Sequence, residues 1–385
     1  MVEYEYRFTE YEYDFKALDI DEKCLIFPFH RLVCFKGMFR SRPQAIAIVA
    51  LIGVNVIWGL SFPVMKFLNQ EVDHHFNVTG ETASIGLRIG SVAWMISIRF
   101  GLALAMMAIF VRSIISNASA LEWKAGAYIG ICFYFGLMCQ VIGLATIPAS
   151  RSGFLTSLTA IFIPLFTAMV LRRAPDLFVC SAVAVALLGV GVLTELVAIT
   201  TTGLSFTSQA LQVWSLGDTL TTVGAIFFTG QILLIDQFGS RVNSSGMTPG
   251  MFAAVIVLAV ITFAISVPLA SEAKDARWID LAMKPAFFPL LGILGSVCSL
   301  VAFIGMNKYQ PYVTATQASI IYSLEPVFAS GWALFLPGWI SFFTGVSFAN
   351  ERWTAPLVLG GTLILLANVI ILWPRRWNRP PPKSS

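Results

Sequence analysis

Residues 150–171 read SRSGFLTSLTAIFIPLFTAMVL, and residues 320–335 read IIYSLEPVFASGWALF. Both stretches are apolar, and each contains one proline, Pro164 in the first and Pro326 in the second. Placing Pro164 on Pro326 sets an offset of 162 residues, which also aligns small residues upstream: Ser157 with Ser319, Gly143 with Gly305, and Gly130 with Gly292. Prolines and small residues that match in one ungapped register indicate an internal repeat.

The composition places this repeat in a membrane. The chain has 385 residues, of which 57% are hydrophobic and 12% are charged, and its mean hydropathy is +0.78. Soluble domains carry about 25% charged residues, so this chain could not cover a water-facing surface. Because a span needs about 20 apolar residues, the sequence predicts an all-α integral membrane protein with ten transmembrane helices, at 45–67, 92–111, 124–145, 152–171, 177–197, 214–235, 249–270, 287–306, 313–336 and 355–373.

The repeat predicts how the two halves are related. Residues 44–198 form a first five-helix repeat and residues 213–373 a second. Because five is an odd number, the second repeat enters the bilayer from the opposite side, which gives two inverted repeats. Inverted repeats with a site at their interface are typical of secondary transporters that work by alternating access. A channel or a membrane-embedded enzyme has no need of this symmetry.

The ends of the chain differ from its apolar body. Eight of the 21 acidic residues lie in residues 1–22, and a short basic lead begins at Met38. Residues 1–43 are therefore expected to be a disordered cytoplasmic tail, or to lie upstream of a true start at Met38. Residues 374–385 are a basic tail. With both termini in the cytoplasm, 17 of the 25 Lys and Arg residues lie on that side, which predicts this orientation in the cell inner (plasma) membrane.

The sequence argues against several classes of function. Three histidines and six cysteines without a CxxC pair offer no convergent metal site, so no metal or cofactor is expected. A net charge of +4 needs no nucleic-acid partner. Without a P-loop, GxSxG or HExxH motif, the chain is expected not to be an ATP-driven pump or an enzyme. The expected partners are the lipid bilayer and a small-molecule substrate, and both a monomer and a homodimer remain open.

Segments in order along the chain resemble the drug/metabolite transporter superfamily, specifically its EamA-type members with two five-helix halves. They are WGLSFPVMK (58–66), RF (99–100), residues 150–171, GDTL (217–220), residues 320–335 and LGGTLILLANVI (359–370). The resemblance implies a secondary-active exporter of a small organic metabolite or amphipathic compound. Two connections, 69–91 and 337–353, are longer than the family pattern. A membrane-embedded or lipid-modifying enzyme and a channel remain the alternatives.

Glu325 is the first candidate for the chemistry, because it is the acid nearest the middle of a predicted span. A charge at the bilayer centre costs about 2.5–3.5 kcal/mol on insertion scales, so such a residue usually faces a bundle interior or a water path. Pro326 follows it and is expected to kink the helix, as is Pro164 in the first half. An ionisable group at a hinge suits proton coupling or pairing with a cation. The alternative is a glutamate that only stabilises the kink.

Other polar and aromatic residues in the spans are candidates for substrate binding. Asn55, Trp58 and Phe62 lie on one face of the first helix, where they line either a pocket for an amphipathic solute or an aromatic contact between helices. Lys66 either contributes to the site or extends to the membrane surface. The remaining candidates are Tyr322 and Gln231, which could equally form hydrogen bonds between helices, and Arg99, whose partner could be Glu325, Glu195 or an anionic substrate.

Overall fold

The structure is a computed structural model that describes residues 42–79, 82–170, 177–200, 203–206, 214–239, 241–273, 278–313 and 315–372. The predicted tails therefore fall outside it almost entirely. Residues 1–41, with the proposed start at Met38, and the basic tail 374–385 lie outside the described residues. Those predictions stay untested.

Among the described residues, the first half of the chain folds into seven helices. Five are longer than ten residues: α1 (Arg42–Phe76), α2 (Ile85–Phe110), α4 (Ala120–Leu144), α6 (Thr159–Val170) and α7 (Leu177–Leu193). Two are shorter, α3 (Arg112–Ser116) and α5 (Ala149–Thr156). Ser84 caps α2 by accepting a hydrogen bond from the Leu87 N–H, and Ser119 with Glu122 forms a capping box at the start of α4.

The described residues of the second half form nine helices and several short turns. The helices are α8 (Leu216–Gly239), α9 (Met247–Ser266), α10 (Trp278–Ala282), α11 (Phe287–Ile293), α12 (Ala302–Tyr309), α13 (Ala315–Tyr322), α14 (Glu325–Ala333), α15 (Leu336–Thr344) and α16 (Ala355–Leu372). A π-helical segment, Leu294–Val301, joins α11 to α12 without a break in the chain's helical course. Short 3₁₀ turns lie at Ser244–Gly246, Val267–Leu269, Ser271–Ala273 and Gln310–Tyr312.

A short β-hairpin is the one departure from all-helical architecture among the described residues. Strands β1 (Val197–Thr200) and β2 (Gly203–Phe206) pair antiparallel, with Val197 opposite Phe206. Glu195, at a φ of 63°, ends the preceding helix, and the β-branched residues that follow favour extended backbone. The hairpin therefore occupies the connection between the two predicted repeats.

Each predicted span coincides with helical structure, but not all of that structure is long enough to span a membrane. Seven helices in the described part of the chain meet the length and hydropathy expected of a span, and the pair Ile320–Ala333 and Leu336–Thr344 makes an eighth if it is counted as one. The fifth and tenth predicted spans coincide with α7 and α16, whose apolar parts, Cys180–Leu193 and Ala355–Ile370, are shorter than a span. Ten full-length spans are thus not confirmed.

Both proline-containing spans are interrupted, although not where the prolines alone predict. In the fourth span the helix breaks at residues 157–158, and Pro164 lies inside α6 well beyond that break. In the ninth span the break is at residues 323–324, and Pro326 lies in the first turn of α14, where proline needs no N–H partner. The 44° bend of the ninth span comes later, between Ala333 and Leu336.

The two halves pack directly against each other through α4. This first-half helix lies against α8 and α9 of the second half. Gly126 and Gly130 face α9 so closely that a methyl group on either would overlap a backbone carbonyl, of Met247 and Met251 respectively. The close approach confirms the packing role that the GxxxG spacing of these glycines predicts.

We expect Gly126→Ala to destabilise the protein, because its methyl group would push α9 away from α4. Overpacking of this kind costs about 1–3 kcal/mol. Gly101→Ala, in α2, is the matched control, since a Cβ there meets no atom within 4 Å. Thermal unfolding in lipid nanodiscs measures both, and equal melting temperatures for the two variants would contradict the close packing of α4 on α9.

Candidate functional site

A cavity of about 60 Å³ lies at the centre of the bundle, between helices of both halves. A buried water needs about 10–15 Å³ of such space, so the cavity is the size of a few water molecules. Its walls come from seven separate parts of the chain: Trp58, Ser61, Arg99, Phe133, Leu137, Gln140, Thr156, Thr159, Phe228, Gln231, Ile232, Phe303, Met306, Tyr322 and Glu325. Five of the residues predicted from the sequence are among them.

Glu325 lies at the wall of this cavity as the first residue of α14. Its side chain is half-buried. Among the described residues, no donor or cation lies within hydrogen-bonding or ion-pair distance of its carboxylate. The helix N-terminus behind it carries a partial positive charge, which stabilises an anion in this position. The broken ninth span therefore presents an unpaired carboxyl group to the cavity.

Arg99 lines the same cavity from α2 and is held by the π-helical segment. Its Nε donates to Ser299 Oγ at 2.7 Å, and one terminal nitrogen lies 3.5 Å from the Cys298 carbonyl oxygen. Its Nη1 is buried without a hydrogen-bond acceptor. Of the partners considered from the sequence, neither Glu325 nor Glu195 pairs with it. π-helical turns frequently occur at functional sites, and this one positions a cation.

Side-chain hydrogen bonds fix the other polar groups of the cavity wall. Gln140 Nε2 donates to Thr156 Oγ1 at 2.9 Å, which ties α4 to the end of α5. The Tyr322 hydroxyl donates to Gln310 Oε1 at 3.0 Å, and Gln310 in turn donates to the carbonyl oxygen of Ile232. Gln231, by contrast, has only the sulfur of Met306 near its amide nitrogen, at 3.7 Å, so it remains available to a ligand.

Aromatic rings make up most of the remaining wall. The Trp58 ring lies 5.3 Å from the Phe303 ring and 5.6 Å from the Tyr322 ring, centroid to centroid. Phe133 contacts Phe303 edge to face at 4.7 Å. Such walls, combined with a few placed polar groups, are characteristic of sites for small organic molecules.

Three of the predicted site residues lie outside the cavity. Phe62 is buried in the hydrophobic core. Asn55 donates to the Leu51 carbonyl oxygen within its own helix at 2.7 Å. The Lys66 ammonium donates to the carbonyl oxygens of Leu144, the last residue of α4, and of Ile147, just beyond it, so Lys66 caps the end of that helix.

The structure adds residues that the sequence did not single out. Phe133, Phe228 and Phe303 form the aromatic wall, and Thr156 and Thr159 flank the break in the fourth span. The sequence could have pointed to the two threonines as candidates, because hydroxyl groups beside a helix break can form hydrogen bonds with the freed backbone groups. The phenylalanines carry no such signal, since apolar residues are expected throughout a membrane helix.

Metal or cofactor ligands do not gather at this cavity. Within the described ranges, His, Cys, Asp and Glu side chains form no group of three or more that could hold a metal ion. Glu325 is the single carboxyl group of the cavity wall. What the arrangement offers is a carboxyl group, a guanidinium group, amides and aromatic faces around a small cavity.

These features define a polytopic helical membrane protein with a small cavity between its two halves, lined by aromatic rings and a few polar groups. The EamA-like transporter family model matches residues 45–195, which include α1 to α7 except for the first residues of α1. Over these residues the chain is similar to EamA-like transporters, which supports a membrane transporter of the drug/metabolite transporter superfamily. The resemblance noted in the sequence is confirmed.

Two known proteins are similar over most of the chain. A protein of Archaeoglobus fulgidus described as an uncharacterized transporter is 25% identical over 319 residues, which is 83% of each chain. A solved structure described only as a crystal structure of protein covers 85% of this chain and 96% of its own at 13% identity, with a TM-score of 0.48. That likeness is too distant to inform the function.

Proposed function

We propose that this protein is a secondary-active transporter that moves a small organic metabolite or amphipathic compound through the central cavity by alternating access. The observation that carries the proposal is the unpaired carboxyl group of Glu325 at the break of a membrane helix, inside a cavity shared by both halves. Interrupted helices with polar groups near the bilayer midplane are the usual substrate and ion sites of such transporters.

The paired interruptions support two inverted repeats of five helices, 44–198 and 213–373. The fourth and ninth spans, which align in the sequence, are both broken, and both breaks flank the cavity. A symmetry of this kind lets one half move against the other around a fixed site. The cavity's small volume supports the same mechanism, because an organic solute enters only if the halves separate.

Glu325 is the proposed proton-coupling residue, and Arg99, Trp58, Gln231 and Tyr322 are the proposed substrate-binding residues. An isolated carboxyl group can take up and release a proton as the cavity opens to water on either side. Export across the inner (plasma) membrane, with both termini in the cytoplasm, rests on the family resemblance and on the distribution of Lys and Arg.

The alternatives from other classes find less support in the described part of the chain. A channel would need a continuous polar lining, and the cavity is instead bounded by aromatic rings. An enzyme would need reactive groups clustered with the carboxyl group, and its nearest charged neighbour in the cavity wall is an arginine.

A comparison of exported metabolites tests the proposal. Cells with and without the gene are compared, and each compound that differs is tested for counterflow in proteoliposomes that contain the purified protein. Ser61→Phe is the matched variant, because a ring at this position fills the cavity. We expect export and counterflow in the wild type and their loss in the variant, whereas a compound exported equally well by Ser61→Phe would show that transport does not use this cavity.

A further inference from the structure

At one end of the bundle, charged side chains cap helix termini. We call this the capped end: α4 and α14 end there, α5 and α8 begin there, and α1 passes it after lining the cavity. Its charged residues are Lys66, Arg151, Asp218 and Glu351. On α4, Gln140 lines the cavity four residues before Leu144, and on α5, Thr156 lines it five residues after Arg151. The capped end therefore lies about 6–8 Å from the cavity along these two helices.

Arg151 and Asp218 form an ion pair across the two halves. Arg151 Nε and Nη2 each lie 2.7 Å from one carboxylate oxygen of Asp218, so the pair is bidentate. Asp218 is fully buried, and the Arg151 side chain is 17% exposed. Bidentate arginine–carboxylate pairs are among the strongest hydrogen-bonded contacts in proteins. The ion pair therefore connects the start of α5, in the first half, to the start of α8, in the second half.

Glu351 makes a second connection between the halves. Its carboxylate accepts hydrogen bonds from the Ala149 N–H at 2.6 Å, the Ser150 N–H at 3.2 Å and the Ser150 hydroxyl at 2.5 Å, which caps α5. Its backbone N–H donates to the Ala333 carbonyl oxygen at the end of α14. One residue thus joins the first turn of α5 to the helix that begins with Glu325.

The opposite end of the bundle also holds contacts between the halves. There, Gln44 of α1 donates to Gln317 of α13 at 3.3 Å, and the Glu122 carboxylate of α4 accepts a hydrogen bond from the Asn243 N–H at 2.9 Å. The capped end holds a bidentate ion pair whose aspartate is excluded from water.

Arg151 can separate from Asp218 without leaving the buried Asp218 carboxylate unsatisfied. Asp218 accepts hydrogen bonds from the Ser215 N–H and the Ser215 hydroxyl, both at 2.8 Å, at the first turn of its own helix. If Arg151 moves away, these donors and the helix N-terminus still stabilise the carboxylate. Arg151, already partly exposed, moves into water.

We propose that Arg151, Asp218 and Glu351 are the gate of this transporter at the capped end, which holds the cavity closed there and separates when it opens. The gate rests on the proposed alternating-access function, because without transport the contacts only brace the bundle. Arg151, Asp218 and Glu351 act by positioning α5, α8 and α14, and none of them lines the cavity.

Hydrogen–deuterium exchange in lipid nanodiscs tests the gate without any transport measurement. In Arg151→Gln we expect exchange to become about tenfold faster in segments 59–68 and 325–333, because loss of one partner of a buried pair favours separation of the two halves. These segments flank the cavity, and the substitution removes no helix cap from either of them. Arg88→Gln is the matched control, since Arg88 pairs with Asp73 at 2.7 Å within the first half only. It should leave both segments unchanged.

Two results would overturn the gate. Faster exchange confined to the first turns of α5 and α8 would show local loosening of helix ends, and equal changes in Arg88→Gln would show general destabilisation. Glu351→Gln provides a second variant if Arg151→Gln does not fold, with the same expectation. Absence of counterflow in the wild type would instead count against the proposed function, while the exchange pattern would still report whether these contacts control the opening.

Discussion

Glu325→Gln should abolish uptake driven by a pH gradient while leaving the protein folded and inserted. Glutamine has nearly the same volume as glutamate but cannot release a proton, and among the described residues no partner depends on the Glu325 carboxylate. In proteoliposomes with an imposed pH gradient, uptake of the exported compound should fall to the level of protein-free vesicles. Counterflow without a gradient should continue, because binding and the movement of the two halves do not require the proton.

The matched control for this prediction is Glu272→Gln. Hydrogen bonds from the backbone of Glu272 itself and from Ser84 lower the pKa of this exposed carboxyl group to about 2. A lowered pKa means that its contact with Ser84 is fully formed above the ordinary carboxyl pKa and is lost only as the pH falls towards 2. Glu272 therefore does not titrate between pH 5 and 8, and its variant should keep normal gradient-driven uptake. Unchanged uptake in Glu325→Gln as well would leave Glu325 a structural residue of the kink.

Arg99→Leu should weaken substrate binding and at the same time preserve or raise the melting temperature. A buried arginine with an unsatisfied Nη1 and no carboxylate partner in the described chain is costly to fold, so an apolar side chain of smaller volume relieves that cost. A hydrogen bond to a charged group contributes about 1.5–3 kcal/mol, and its loss corresponds to an affinity about tenfold to a hundredfold lower. Counterflow at increasing concentrations of the compound, and unfolding in nanodiscs, measure the two effects.

Two further variants separate the charge of Arg99 from its position. Arg99→Lys keeps the charge but lacks the Nε that Ser299 holds, so it should restore little binding. Ser299→Ala keeps the guanidinium and should weaken binding less than Arg99→Leu does. A large fall in melting temperature in Arg99→Leu, with counterflow intact, would show that Arg99 only supports the packing of α2 on the π-helical segment.

The sequence predicted the parts of the site that depend on composition along a single helix. Hydropathy located the helices, and the rarity of ionisable groups inside apolar runs pointed to Glu325 and Arg99, both of which line the cavity. That reasoning uses only the cost of charge in lipid, which is a property of each segment by itself.

What the sequence could not give is the direction in which each side chain points. Trp58 and Phe62 are one helical turn apart on α1, so they share a face by spacing, yet Trp58 lines the cavity and Phe62 lies in the core. Lys66 looked like a site residue and instead caps the end of α4. Glu351, in a long connection, proved to cap α5. The position of each of these side chains depends on which helices are neighbours in the fold. Periodicity within one helix carries no information about its neighbours.

The length of α1 determines how the protein sits in a bilayer. Its 35 residues extend about 52 Å at 1.5 Å per residue, which exceeds a hydrocarbon core of about 30 Å by roughly 20 Å. In its last turns Glu71 contacts Lys284 at 3.3 Å and Asp73 contacts Arg88 at 2.7 Å. Because charged groups are costly among acyl chains, we expect this end of α1 to lie in the headgroup layer. Since α1 continues to Phe76, the first part of the connection predicted at 69–91 is helix, and its charges should limit how deeply the cavity lies within the membrane.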